Sequence, residues 1–351
     1  MDPDSIMRPR SSVLALLVML GLPACGGSSP VGPTPSPPPE PVTGTTSGRL
    51  VNVLNGDEAV AGATLSVASL GQAVSDAAGQ FRLQAPSTIP SPYSTRITRS
   101  GWVERNVLFK VPGDPVSISL IPDSFNLLYF DEMCRSFGRV ARWSSAPALL
   151  VETSVIQYPS RIATDDEVPP QSVTRTTDEL RRTVVVLSAG RFSDFASIEF
   201  RRTAAGTRSS APIGALALSW QQGLLEGFGH VAYGARFLRG SDAGITSGEV
   251  ALDYDWREFG QPQGSRRDFI PVEQHELGHA LGYSHTRTAP SFMYEVFLMT
   301  VSALDRQAFE IFMQRPNGNA SPDQDPTGVS HNASAQGGLV IERCPFLRVP
   351  R

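Results

Sequence analysis

The sequence predicts a mixed chain of the α+β kind: a small all-β region over residues 45–121, then a larger region over 122–348 with a mixed sheet and helices. Three observations carry this. Short alternating apolar runs separated by turn residues recur through the first region. Beyond residue 122, strand-like and helix-like runs alternate. The stretch "HELGHALGYSH", His275 to His285, lies on a helical pattern and gathers three of the chain's five histidines. At 351 residues, 40% hydrophobic and 18% charged, the composition is that of an ordinary globular protein with room for roughly two domains. A net charge of −4 offers nothing for a nucleic-acid partner, and Lys110 is the only lysine, so arginine carries the positive charge.

The N-terminus reads as a targeting segment. Arg8 and Arg10 precede the apolar run "VLALLVMLGL" (13–22), too short to span a bilayer, and "PAC" ends at Cys25. "LPAC" resembles a bacterial lipobox. The resemblance implies a lipoprotein signal peptide over 1–25, lipidation of Cys25, and a membrane anchor. Gly26 after that cysteine, in place of an aspartate retention signal, points to the outer membrane of a diderm cell. Residues 26–44 hold the Pro-rich run "PVGPTPSPPPEP", an extended linker at about 3 Å per residue. Export places Cys134 and Cys344 in an oxidising compartment, where they allow one disulfide pairing.

In the β region, "GRLVNV" (48–53) reads as a strand ending at the turn "NGD". The strands "ATLSVA" (63–68), "FRLQ" (81–84), "STRITR" (94–99) and "VSISL" (116–120) follow, with a turn at "DAAGQ". That spacing suggests a small β-sandwich. With "AVAGATLSV" and then "SDAAGQFRL", the stretch resembles the carboxypeptidase regulatory-like domain. The resemblance implies a transthyretin-like sandwich acting as spacer or binding accessory.

In the larger region, "FNLLYFDEMCRSF" (125–137) has near-helical apolar spacing and "APALLVETS" (146–154) reads as a buried strand. A helix around 172–183 is expected to run into a strand at "VVVLS". Strands at "SIEFRR" (197–202) and "GEVALDYDW" (248–256) come next. Ser302 and Asp305 cap a helix over 302–314, and residues 316–337 read as a surface loop before the strand "GLVIERC".

The chemistry sits in the histidine motif. Pro271 suits the first turn of a helix. On that helix His275 and His279 are i and i+4, so both point from one face and reach a single Zn²⁺ at about 2.0–2.1 Å. Glu276, rotated about 100° from His275, is placed to act on a metal-activated water without being a ligand. Gly282 ends the helix in a sharp turn that returns His285 to the same metal. Three nitrogen ligands leave a fourth position for water, the pattern of catalytic zinc. His230 and His331 lie outside the motif and read as surface or structural residues.

"HELGHALGYSH" has the form H-E-x-x-H-x-x-G-x-x-H and resembles the metzincin zinc proteases. "TAPSFMYEV" places Met293 eight residues after His285, as the matrixin branch places its Met-turn; Met299 is the runner-up, and Glu295 stands where matrixins continue with proline. The resemblance implies a zinc endopeptidase with His275, His279 and His285 as ligands and Glu276 as general base, acting on peptide or protein substrates. It also implies that "GITSGEVALDYDW" (244–256) is the edge strand beside the cleft, and that Asp253 and Asp255 contribute to a Ca²⁺ site as the matching matrixin loop does. No cysteine-switch segment of the "PRCGxPD" kind is visible. Two other readings compete: a binding lipoprotein with an inactive protease-like domain, and a non-proteolytic zinc hydrolase such as an amidase. The intact Glu276 opposes the first, and His285 together with Met293 opposes the second.

Overall fold

The structure is a computed structural model that describes residues 43–135, 138–224, 227, 232–238, 244–254, 270–294, 300–327 and 338–342. The signal segment with Cys25, nearly all of the linker, and Asp255, Met299, Cys344, His230 and His331 lie outside the described residues. The described residues all belong to one compact unit, Pro41–Arg351.

Eight strands form the first half: β1 (Gly44–Asn52), β2 (Asn55–Ala59), β3 (Thr64–Val67), β4 (Gly71–Val74), β5 (Gln80–Ala85), β6 (Ser91–Thr98), β7 (Arg105–Val111) and β8 (Val116–Leu120). They make two four-stranded sheets, β2-β1-β5 with β8 parallel to β1, and β4-β3-β6-β7. Alternation decides which face turns inward. In β5, Phe81, Leu83 and Ala85 are buried while Gln80, Arg82 and Gln84 are exposed. These residues join Leu50, Leu65, Ile97, Val107 and Leu120 in one core shared by the two sheets.

The turn expected at "DAAGQ" is present. Asp76 Oδ1 accepts from the N–H groups of Ala78 and Gln80 at 2.9 and 2.8 Å. Gly79 sits at φ +74°, and a Cβ there would lie 2.4 Å from the Leu50 carbonyl oxygen. The turn expected at "NGD" is displaced. Asn52 pairs with Asn55, so the chain reverses at Val53–Leu54 and "NGD" opens β2. Strands β2, β4 and β7 were not anticipated from the sequence.

The second half is built on a seven-stranded sheet. Its strands are β9 (Ala148–Gln157), β10 (Ile162–Glu167), β11 (Ile198–Arg201), β12 (Ala215–Gln222), β13 (Ala232–Leu238), β14 (Ile245–Asp253) and β15 (Gly338–Glu342). The order is β10-β9-β12-β14-β13-β15, with β11 also paired to β9. β9, β12 and β14 run parallel, while β13 is antiparallel to both β14 and β15. Helices α1 (Leu127–Cys134), α2 (Pro170–Leu187), α3 (Ile270–Leu281) and α4 (Ala303–Gln314) complete it.

Three expectations are corrected here. The segment 184–188 is not a strand: α2 continues to Leu187, because Leu180, Val184 and Leu187 fall on one helical face and are buried in the core. Packing overrides the β preference of consecutive valines. Residues 244–256 do not form the edge strand, since β14 lies between β12 and β13. Nor is 316–337 a surface loop throughout, since Asn319 and Asp323 are fully buried.

Asp323 is buried by the joint between the halves. Arg315, itself 0% exposed, grips it with Nε and Nη2, each at 2.7 Å, and donates from Nη1 to Ser119 Oγ in β8 at 2.9 Å. From β7, Arg105 reaches Asp323 at 2.8 Å and Asp325 at 3.0 Å. Burial alone would raise the Asp323 carboxyl, but Arg315 and Arg105 outweigh it and hold it below the usual carboxylate range. Its stabilising contribution is therefore complete above about pH 4 and is lost as pH falls through the depressed value. Removing one partner leaves a buried charge uncompensated, so Arg315→Met should cost about 3–5 kcal/mol in urea unfolding at pH 7. Unfolding within about 1 kcal/mol of the parent would show that the joint is not held by this cluster.

Candidate metal centre

Helix α3 is pinned at both ends. At its start Glu273, fully buried, accepts from Arg175 Nη2 at 2.9 Å and Thr176 Oγ1 at 2.8 Å on α2. Gln274 Nε2 donates to Glu179 Oε1 at 2.8 Å. At its end Trp143 Nε1 donates to the Ala280 carbonyl at 3.0 Å. Pro271 lies in the first turn, as the sequence implies.

Gly282 ends the helix at φ +122°, where a Cβ would stand 2.4 Å from the Ala141 carbonyl oxygen. The N–H groups of Gly282 and Tyr283 close on the Gly278 carbonyl at 3.1 and 3.0 Å. Only glycine combines that dihedral with that approach. The turn returns His285 to the helix. His279 Nε2 and His275 Nε2 are 3.1 Å apart, and His275 Nε2 and His285 Nε2 are 3.2 Å apart.

Those separations decide the chemistry. His275 Nδ1 lies 2.8 Å from the Phe292 carbonyl oxygen, and His279 Nδ1 lies 2.9 Å from that of Tyr283. A carbonyl accepts, so each Nδ1 carries the hydrogen and each Nε2 presents a lone pair. Lone pairs facing one another at 3.1 Å repel unless a cation lies between them. Protonation does not relieve this: burial, then the neighbouring imidazole, push the His275 pKa down to about 3, and burial likewise carries His279 well below its ordinary value. Tetrahedral bonds of about 2.0–2.1 Å put ligand nitrogens about 3.3 Å apart, so the set fits zinc. His285 is only half-buried, which leaves that side open. Among the described residues this is the single group of three or more His, Cys, Asp or Glu side chains with metal-binding geometry.

Met293 is placed beneath the helix. It is fully buried, and its Sδ lies 2.8 Å from where a Cβ on Gly278 would stand, with Phe292 equally close. Gly278 is thus the gap that lets the Met293 turn under α3. The turn is held from outside by Asp305. Its Oδ1 accepts from Ser291 Oγ at 2.7 Å and from Tyr129 OH, and its Oδ2 accepts from the Phe292 N–H at 3.2 Å and the Ser302 N–H at 2.6 Å. One carboxylate therefore bonds the first turn of α4 and holds, through its N–H, the residue whose carbonyl orients His275. Sequence reasoning saw only the cap.

Two further positioning residues escaped it. Gly234 in β13 lies against α3 so closely that a Cβ would stand 2.3 Å from the Glu276 carbonyl oxygen. Arg236, fully buried in the same strand, donates to the carbonyls of His279 and Tyr283 at 2.9 and 3.3 Å, and to Ser284 Oγ at 3.0 Å. It ties β13 to the turn between the second and third histidines. Glu276 is buried beside the histidines. Cys134 is a buried free thiol in α1, raised in pKa by burial, and takes no part in the centre. Asp253 ends β14 and is buried.

The matrixin family model (peptidase M10) matches residues 185–310, from the end of α2 into α4. That span contains all three histidines, and it supports a metzincin-like domain and implies a metallopeptidase. No curated protein matches the chain. Among solved structures, a C-terminal interface mutant of a type II cohesin–X-dockerin complex from Acetivibrio cellulolyticus is 19% identical over 22% of this chain and 51% of its own, with a TM-score of 0.17. The N-terminal interface mutant of that complex is 16% identical over 25% of this chain and 71% of its own, at 0.18. The chain thus spans about half the length of the first. Likenesses this low bear on neither the fold nor the activity.

Asp305→Ala removes the anchor of the Phe292 N–H and the side-chain half of the α4 capping box that bonds the Ser302 N–H. It should lower stability by about 2–4 kcal/mol and weaken zinc binding roughly 10- to 100-fold in chelator competition. Zinc affinity equal to the parent in a folded variant would show that the Phe292 carbonyl does not depend on Asp305.

Proposed function

We propose that the protein is an exported zinc endopeptidase, lipid-anchored at Cys25 to the cell envelope, that hydrolyses internal peptide bonds of protein or peptide substrates. One observation carries the reading: two buried imidazoles, each committed through Nδ1 to a backbone carbonyl, aim bare Nε2 atoms at a point shared with His285. His275, His279 and His285 hold the zinc. When bound, the ion acidifies water and polarises the scissile carbonyl.

The chain's own residues do the rest. Glu276, next in sequence to one ligand and three residues before another, is the general base that takes the proton from the attacking water. As the peptide bond breaks, it returns that proton to the leaving amine. The low-dielectric wall of Met293 and Phe292 beneath α3 strengthens every electrostatic term at the centre. The match to matrixins over 185–310 supports the same class.

The lipid anchor rests on the "LPAC" stretch, and a disulfide joining Cys134, a free thiol in this structure, to Cys344 is proposed from sequence alone. The β half is read as a spacer or binding accessory of carboxypeptidase regulatory-like type.

Glu276→Ala should lower kcat on a peptide library by about 10²–10⁴-fold while metal analysis still finds one zinc per chain. Undiminished cleavage by the zinc-loaded variant removes Glu276 from the mechanism. A zinc-loaded parent that cleaves no peptide leaves only the binding-protein and amidase readings.

A further inference from the structure

Strand β13 is the part of the sheet against which the metal helix lies. Gly234 admits the backbone of α3 at Glu276 and His279, and Arg236 donates to the His279 carbonyl. The inner side of β13 is taken by β14, from Ala232↔Leu252 to Leu238↔Ile245. Its outer side is therefore the sheet edge beside the metal centre, where an extended peptide gains main-chain hydrogen bonds by adding as a strand.

That edge is already filled. β15, near the C-terminus of the same chain, pairs antiparallel along it from Leu238↔Gly338 to Gly234↔Glu342. The register leads the strand towards the metal, because Glu342 stands opposite the residue that touches the backbone of Glu276. β15 is also a poorly anchored strand. Among described elements it pairs with β13 alone, and Leu339 and Ile341 remain 49% and 42% exposed. A strand integral to the core would bury such residues.

We infer that β15 is a resident occupant of the peptide-docking edge, and that it must leave β13 before a peptide substrate can add there. This rests on the endopeptidase reading. Covalent attachment gives β15 an effective concentration in the millimolar range, above that of a micromolar substrate in solution, so the chain competes with its own substrate. Release of β15 exposes the edge without changing the histidines, Glu276 or the Met293 turn.

The test uses the full-length, zinc-loaded chain. In Val340→Pro/Ile341→Pro, one of the two prolines must remove an N–H facing β13, because successive N–H groups alternate along a strand. The variant should cleave a quenched peptide library with KM about tenfold lower and kcat nearly unchanged. A synthetic peptide of residues 338–342 added to it should restore the higher KM competitively. Carried into a Glu276→Ala background, the two prolines should also tighten binding of a labelled peptide by a similar factor, measured without turnover.

An unchanged KM and peptide affinity in a folded, zinc-loaded proline variant overturns the inference while leaving the endopeptidase reading intact. So does a rise in KM, which would make β15 part of the substrate site. If neither chain cleaves or binds any peptide, the endopeptidase reading falls and this inference falls with it. Should the double proline unfold the protein, Leu339→Asp/Ile341→Asp, at the two exposed positions, supplies the same comparison through charge on the strand.

Discussion

The placing of His275 Nε2 within 3.1 Å of His279 Nε2 and 3.2 Å of His285 Nε2 is the constraint around which the second half of this protein is arranged. Left alone, the arrangement is unfavourable: lone pair faces lone pair, and burial forbids the protons that would separate them. It persists because the His275 and His279 rings are held from behind. The Phe292 and Tyr283 carbonyls take the Nδ1 hydrogens, and those carbonyls are themselves placed by Asp305, by the Gly282 turn and by Arg236. His275, His279 and His285 would hold a divalent cation between them, and the ion would take up the lone pairs that otherwise oppose one another. Metal affinity in such a centre is therefore stored in the backbone that orients the rings as much as in the rings.

Glycine is what lets the supports come close. Gly234 admits the helix to β13, Gly278 admits Met293 and Phe292 beneath the helix, and Gly282 admits the Ala141 carbonyl at the turn. Each contact is near 2.3–2.8 Å from a would-be Cβ, so a methyl group at any of them must displace backbone or core. The helix is wedged between a strand below and a turn beside it. That wedging fixes α3, and with it His275 and His279, against the sheet.

Much of this centre was legible in the sequence because its signals are local. Histidines at i and i+4, a glycine three positions on and a third histidine after it specify helix, turn and return within eleven residues. Ser302 with Asp305 announced the α4 cap the same way. What escaped was whatever depends on distant partners. Nothing around Arg236 says that it will reach the end of α3, and nothing around Asp305 says that a capping carboxylate will also hold Ser291 and Phe292. Strand order is non-local as well: "GEVALDYDW" looks alike at an edge or in the interior, and only the arrival of β13 and β15 on its outer side makes it interior. The valines after Leu180 misled for the converse reason, since local β preference lost to a buried helical face.

The joint between the halves extends the same logic beyond the metal. A fully buried arginine–aspartate pair is weak evidence of net stability, because desolvation offsets most of its attraction. It is strong evidence of geometry, because Arg315 satisfies Asp323 and Ser119 only in one relative placement of α4, the 319–325 segment and β8. Arg105 repeats the constraint from β7. With four charges committed across it, the joint does not slide by small steps: a displacement of 1 Å breaks several charge-assisted hydrogen bonds at once. The β half is thus carried as a rigid extension of the half that holds the histidines.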